Sequence, residues 1–174
     1  MASVFEHWTK TVAINTSSIV GFAVITILYA VIGTLAVAGS VVVSQKSFPG
    51  RSEQIFYGVF LIVIAAFYLA FAAHFGDASS WNTELFAVAS FSLLGILGAR
   101  YAAVLILGYF LHGIWDILHE LSAHTGYSVL GAKFTEIPLA YGVFCLTYDF
   151  AISVYFLRRR AYWNKPPGAA TVAP

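Results

Sequence analysis

The chain has 174 residues, of which 60% are hydrophobic, 17% aromatic and only 10% charged. Ordinary soluble domains are about one-quarter charged, so this composition excludes an ordinary soluble domain or a disordered chain. Nine basic residues nearly balance eight acidic ones, and the net charge of +1 leaves no extended basic surface for nucleic acid. The single cysteine, Cys145, excludes an intramolecular disulfide. The composition therefore predicts a small multi-pass membrane protein.

Apolar runs divide the chain into three regions. Residues 1–17 form a polar, interfacial N-terminal segment, residues 18–157 a transmembrane helical domain, and residues 158–174 a basic anchor with a disordered tail. The predicted fold is an all-α bundle of five spans: Ser18–Val43, Gln54–His74, Leu85–Ala99, Tyr101–Leu121 and Ile137–Leu157. The third run has 15 residues against about 20 for a membrane-spanning helix, so it must borrow flanking residues or cross a thinned bilayer.

Turn signals separate these runs. The Pro49-Gly50 pair marks the first turn, and residues 98–101 form a second tight turn between the third and fourth spans. Residues 76–84 are predicted to form a loop, with Trp81 at the membrane interface. Pro138 suits the first turn of the fifth helix, because its missing N–H is not needed there.

Five spans place the two termini on opposite sides of the membrane. A cytoplasmic C-terminus puts most basic residues inside, so the positive-inside rule predicts an N-terminus on the outside. The residues on the inside are then Lys46, Arg51, Arg100, Arg158, Arg159, Arg160 and Lys165. The lipid bilayer is the first expected partner. Small-residue spacings such as Gly95-x3-Ala99 would also permit close helix contact in a homo-oligomer or a larger membrane complex.

The fourth and fifth spans each carry a stripe of polar side chains. The two stripes are His112, Asp116, His119 and Glu120, and Tyr141, Cys145, Tyr148 and Asp149. At about 100° per residue each set falls on one helical face. Because the two spans run antiparallel, we expect His112 and Asp149 to meet near the midplane, in a polar cleft between these spans that opens outward. His74 and Asp77 are placed to close its mouth.

The segment Leu111–Glu120, together with Cys145–Ile152 and Tyr155-Phe156, resembles a family of small prokaryotic multi-pass membrane proteins known only as a domain of unknown function. The likeness extends over most of the chain. Where that pattern often has a second histidine after His119, this chain has Glu120. The resemblance implies His112, Asp116, His119 and Asp149 as the residues to watch and a prokaryotic inner membrane as the location. It implies no activity.

Imidazole and carboxylate groups on one helical face are the mixture that suits Zn, Fe or Mn. The predicted metal ligands are His112, Asp116, His119 and His74. The catalytic candidates are Glu120, Asp149 and Tyr148. The two carboxylates among them would serve as a fourth ligand or a general base, and the tyrosine as a hydrogen-bond donor, in an enzyme acting on a small or lipid-like substrate. The carboxylate neighbours fit a non-haem ion better than haem.

Three other interpretations of the polar stripes stay open at this stage. The carboxylates and histidines could simply hydrogen-bond to each other and lock the helices together. His112 and Asp149 could relay protons in a proton-coupled transport component. The chain could also be a non-catalytic subunit or assembly factor of a larger membrane complex.

Overall fold

The computed structural model describes residues 19–75, 78–125 and 131–164. These residues form five helices and no strand, which confirms the all-α prediction. The helices are α1 (Ile19–Ser47), α2 (Arg51–Phe75), α3 (Trp81–Gly98), α4 (Ala102–Thr125) and α5 (Tyr141–Trp163). The predicted N-terminal segment, Asp77 and the tail from residue 165 lie outside the described residues.

The helix boundaries confirm most of the predicted turns. Gly50 has a φ of 58° between α1 and α2, a left-handed conformation that glycine adopts without strain. The third helix begins at Trp81 and has 18 residues, or about 27 Å, so it borrows flanking residues as expected. Its early start moves Glu84 from the predicted loop into the helix, where the side chain is buried.

The fifth helix differs from the prediction at both ends. It begins at Tyr141, so the prediction that Pro138 lies in its first turn is wrong. Ala140 has a φ of 57°, and the Tyr141 N–H donates to the Pro138 carbonyl at 3.0 Å, so a turn precedes the helix. The helix then continues to Trp163 and includes the three arginines that were assigned to the anchor.

The helices form a ring in the order α1, α5, α4, α3, α2. Neighbours that follow each other in the chain, such as α2 and α3, are antiparallel, because Gln54 at the start of α2 donates to the Gly98 carbonyl at the end of α3. The first and fifth helices are parallel, since Gly33 packs on Phe144 and Gln45 contacts Tyr155. The most extensive packing joins α4 and α5.

Glycines allow neighbouring helices to pack closely. A Cβ atom added to Gly58 of α2 would lie 2.6 Å from the Gly95 oxygen of α3, and one added to Gly95 would lie 2.5 Å from the Gly58 oxygen. On α4, a Cβ at Gly113 would lie 2.8 Å from the Phe150 ring of α5. The contact at Gly113 holds the polar faces of α4 and α5 close together.

Four helices, α1 to α4, are long and apolar enough to cross a membrane. α5 has 23 residues, but Asp149 and Arg158–Arg160 make it less apolar. Most of α1 is exposed, including large apolar side chains such as Ile27 and Leu35, as expected of a lipid-facing helix. The chain is therefore an integral membrane protein.

A buried carboxylate joins three helices, α1, α2 and α5, at the Arg-rich end of the bundle. Glu53 of α2 accepts hydrogen bonds from Ser44 of α1 and from three side chains of α5, which are Tyr155, Arg159 and Trp163. The Arg159 Nε lies 2.9 Å from its oxygen Oε2. The predicted membrane anchor therefore also has a structural role inside the bundle.

Candidate functional site

Three predicted site residues meet between α4 and α5. His112 and Asp116 lie one turn apart on α4, and Asp149 faces them from α5. Each of the three side chains is at most 1% exposed. The expectation that His112 and Asp149 meet across the two helices is confirmed. We call these three residues the His-Asp-Asp trio.

The imidazole of the trio contacts both carboxylates through one nitrogen. His112 Nδ1 lies 2.6 Å from Asp149 Oδ2 and 3.4 Å from Asp116 Oδ2. The shorter contact is a hydrogen bond, in which the ring N–H donates to the carboxylate. This hydrogen bond fixes the orientation of the ring, and both carboxylates lie on the Nδ1 side of the imidazole.

Each member of the trio keeps one buried polar atom that has no hydrogen-bond partner. These atoms are His112 Nε2, Asp116 Oδ2 and Asp149 Oδ1. Buried polar atoms almost always have a protein or water partner, so three of them in one cluster mark a place where a water molecule or an ion can bind. One ligand atom from each residue can be chosen so that all three lie within 4.8 Å of one another. The group therefore could hold a metal ion.

Tyr68 of α2 links the trio to a second polar pair. Its hydroxyl donates to Asp116 Oδ1. Its ring lies against His119, with 4.1 Å between the ring centroids. The side chain is buried, so both interactions are shielded from solvent. One tyrosine thus orients a carboxylate of the trio and covers the neighbouring histidine.

The structure pairs His119 with Glu84 of α3, away from the trio. His119 Nδ1 faces the Trp115 carbonyl at 3.1 Å, and a carbonyl can only accept, so Nδ1 carries a hydrogen. His119 Nε2 lies 3.0 Å from Glu84 Oε1, so one further proton lies between these two groups. Glu84 Oε1 also accepts the Thr135 N–H at 3.0 Å. The segment before α5 therefore closes over this pair.

The other predicted site residues do not join the trio. Glu120 Oε2 accepts the Gly142 N–H at 3.0 Å and so places a carboxylate at the N-terminus of α5. The Tyr148 hydroxyl donates to Ser40 of α1 at 3.0 Å. His74 is exposed in the last turn of α2 and contacts the ring of Phe75. These contacts give Glu120 and Tyr148 a packing role in the described structure.

The cavity beside the trio lies in a different place from the predicted cleft. α4 and α5 pack directly, because a Cβ atom added to Gly142 of α5 would lie 2.7 Å from the backbone carbonyl oxygen of Asp116 on α4. A cavity of about 480 Å³ lies instead between α1, α2 and α5, and Asp149 forms part of its wall. The glycines are the physical reason: they bring the polar faces of α4 and α5 into direct contact, and the groove that remains between these helices has no ionisable lining residue.

Sequence reasoning missed Tyr68 and Glu84. Glu84 begins a pattern of buried positions at Ala87, Phe91 and Gly95, so helical periodicity extended back into the supposed loop could have identified it. Tyr68 is one of ten tyrosines and stands in an apolar run without a charged neighbour. Nothing in its local sequence distinguishes it from a packing residue.

The donor atoms of the trio define what it can do chemically. Two carboxylates and one imidazole carry at least one net negative charge when the carboxylates are ionised, even with the imidazole protonated. An uncompensated charge in a buried membrane site is costly, so a proton or a cation must balance it. One nitrogen and two oxygens are ligands that suit Zn, Fe or Mn.

Comparison with known proteins identifies a family for this chain. Residues 24–161 match the model of DUF6010, a family of unknown function. No curated protein and no solved structure matches the chain. The family match covers well over half of the sequence and confirms the resemblance to a family of unknown function. The chain therefore belongs to the DUF6010 family.

Proposed function

We propose that this protein binds a divalent metal ion inside the membrane, with His112, Asp116 and Asp149 as ligands. The observation that supports this most directly is that one ligand atom from each of the three buried residues lies within 4.8 Å of the other two. His112 Nδ1 lies 2.6 Å from Asp149 Oδ2 and 3.4 Å from Asp116 Oδ2, so an ion that replaces the Nδ1 hydrogen would meet all three residues. Three protein ligands leave coordination positions open, as in catalytic rather than structural metal sites.

We further propose that the bound ion serves an enzyme acting on a small or lipid-like substrate. A divalent ion would supply Lewis acidity at a polarised substrate oxygen. The chain itself would supply the orientation, because the Tyr68 hydroxyl group holds the Asp116 carboxylate. Burial of all three ligands excludes bulk water, which strengthens their electrostatic effect on a reacting group.

The orientation of the bundle is part of the proposal. Most of the described basic side chains lie at one end, where Arg100 and Arg160 line the same surface hollow and Arg159 bonds to Glu53. By the positive-inside rule we place this end in the cytoplasm, with the N-terminus outside. The proposed location is a prokaryotic inner membrane, in agreement with the resemblance found in the sequence.

Elemental analysis of detergent-purified protein tests the metal proposal. We expect near-stoichiometric Zn, Fe or Mn in the wild type and loss of the ion in His112→Ala and Asp149→Asn. His74→Ala is the matched control, because this exposed histidine lies apart from the trio and its loss should leave the metal content unchanged. Retention of the ion in His112→Ala would contradict the ligand assignment.

A wild type that is purified without chelator and binds none of the three metals would contradict the proposal altogether. A proton-transfer role would then be favoured by the contacts that connect Glu84, His119, Tyr68 and Asp116. Proton flux into proteoliposomes, measured with and without Glu84→Gln, would test that role.

A further inference from the structure

The cavity between α1, α2 and α5 is lined almost entirely by apolar surface. Its wall on α2 consists of Phe60, Ile64, Phe67 and Phe71. The other side includes Ala36 and Phe144, and its polar residues, which are Ser40, Tyr141, Cys145, Tyr148 and Asp149, present very little polar surface to the cavity. A molecule that fills this space must therefore be apolar along nearly all of its length, with room for a polar group at one point only.

The cavity opens at the depth of the lipid chains. Its residues on α2 lie well inside the span that runs from Arg51 to Phe75. Phe67 lines the cavity and is still 47% exposed, so one side is open to the surroundings of the bundle. A volume of about 480 Å³ is within the range of about 300–1,000 Å³ that small-molecule sites occupy.

One residue of the cavity wall has a buried polar atom that lacks a hydrogen-bond partner. Tyr148 and Ser40 satisfy each other with a hydrogen bond of 3.0 Å. Asp149 is 1% exposed, belongs to the cavity wall, and its Oδ1 has no hydrogen-bond partner. An ionised carboxylate only accepts hydrogen bonds, so its complement on a bound molecule is a donor such as a hydroxyl group.

We propose that this cavity binds a lipid-soluble alcohol from the bilayer, with its chain along the phenylalanines of α2 and its hydroxyl group directed to Asp149. This inference rests on the proposed function, because it identifies the substrate class for the trio. The same aspartate would then touch both the substrate hydroxyl and the His112 ring, which places the reacting oxygen next to the metal ligands.

Photo-crosslinking with a diazirine-bearing hexadecanol tests the inference on the intact protein in lipid nanodiscs. We expect crosslinked peptides from the cavity walls of α2 and α5. Unlabelled hexadecanol should compete about tenfold better than its methyl ether, because the ether cannot donate a hydrogen bond to the carboxylate. Cys145, the single cysteine of the chain, gives a second readout, since bound alcohol should slow its reaction with an apolar maleimide.

Matched variants distinguish the cavity from the general lipid-facing surface. Ala36→Phe fills the cavity from α1, whereas Ala103→Phe fills a similar apolar groove of about 460 Å³ between α4 and α5 that has no ionisable lining residue. We expect crosslinking and Cys145 protection to be lost in the first variant and kept in the second. The crosslinked positions in the wild type decide the question even where Ala36→Phe does not fold.

Crosslinks spread evenly over all lipid-facing helices, with equal competition by the alcohol and the ether, would overturn the inference. Metal content is measured on the same samples. A missing ion would refute the proposed function, whereas the crosslink positions and the competition test the alcohol site separately.

Discussion

The hydroxyl group of Tyr68 provides the sharpest test of the proposed metal site. It donates to Asp116 Oδ1, whereas the other oxygen of this carboxylate has no hydrogen-bond partner. Tyr68→Phe removes this one hydrogen bond and keeps the ring that packs on His119. The substitution therefore leaves all three proposed ligands in place and changes only how firmly one of them is held.

Two independent arguments give the size of the effect. Removing a group that hydrogen-bonds to a metal ligand typically lowers metal affinity about 10–100-fold. At about 1.4 kcal/mol for each factor of ten, this equals about 1.4–2.8 kcal/mol. A hydrogen bond to a charged group is worth about 1.5–3 kcal/mol, which is the same range. We therefore expect the dissociation constant for the metal to rise by one to two orders of magnitude.

The assay is a titration of apoprotein against a metal-binding dye in detergent. Tyr109→Phe is the matched control, because Tyr109 is also fully buried and its hydroxyl donates to the Tyr57 carbonyl at 2.9 Å. Both variants lose one buried hydroxyl, but only the first touches a proposed ligand. Unchanged metal affinity in Tyr68→Phe, or an equal loss in both variants, would refute the reasoning.

Two further predictions concern the stability of the bundle. Glu53→Gln should lower the free energy of unfolding by about 1.5–3 kcal/mol, because a charged acceptor of four side chains becomes neutral. Urea titration in mild detergent measures this loss. Glu136→Gln is the control, because this exposed side chain should have no effect on stability. Gly95→Val should prevent correct packing of α2 on α3, since the new Cβ would lie 2.5 Å from a backbone oxygen. Gly39→Ala, which meets nothing within 4 Å, should remain monodisperse on gel filtration, and a broad profile for it would contradict the packing argument.

Much of the fold follows from the sequence because the physical rules involved are local. Apolar run length predicted five spans; all five helices form, and four of them are long and apolar enough to cross a membrane. The turns at Gly50 and after Gly98 lie where glycine and proline or charge interrupt the apolar runs. The start of α5 was not predictable in this way. A left-handed Ala140 sets it, and alanine carries no local signal for that conformation.

For the candidate site, the sequence predicted which residues share a face of one helix but not which residues meet between helices. Periodicity placed His112, Asp116 and His119 on one face of α4, but it could not show which neighbour each side chain meets. Contacts between helices decide which neighbour each side chain meets. Glu84 of α3 is hydrogen-bonded to His119, whereas Asp149 of α5 is hydrogen-bonded to His112. The cleft was misplaced for the same reason, because the depth of helix contact depends on glycines that pair only in three dimensions.

Asp116 distinguishes two interpretations of the trio, which are a site that binds a cation and a set of contacts that only joins two helices. The contact at Gly113 already brings α4 and α5 together, and one hydrogen bond between His112 and Asp149 would be enough to fix their register. A second carboxylate 3.4 Å from the same imidazole adds like charge, which weakens helix association unless a proton or cation compensates it. Asp116→Asn removes that charge, while the amide oxygen can still accept from Tyr68.

The two interpretations predict opposite changes in stability for Asp116→Asn. Without metal, we expect the variant to unfold at the same temperature as the wild type or higher, since like-charge repulsion is removed. With metal at about 100 times the dissociation constant, the wild type should gain about 2.7 kcal/mol and the variant almost nothing, because a ligand that binds only the folded state stabilises it by mass action. Thermal unfolding in detergent with added Zn or Mn measures both. Equal stabilisation of the two proteins by metal would mean that Asp116 is not a ligand, and a variant destabilised without metal would show that this carboxylate serves packing.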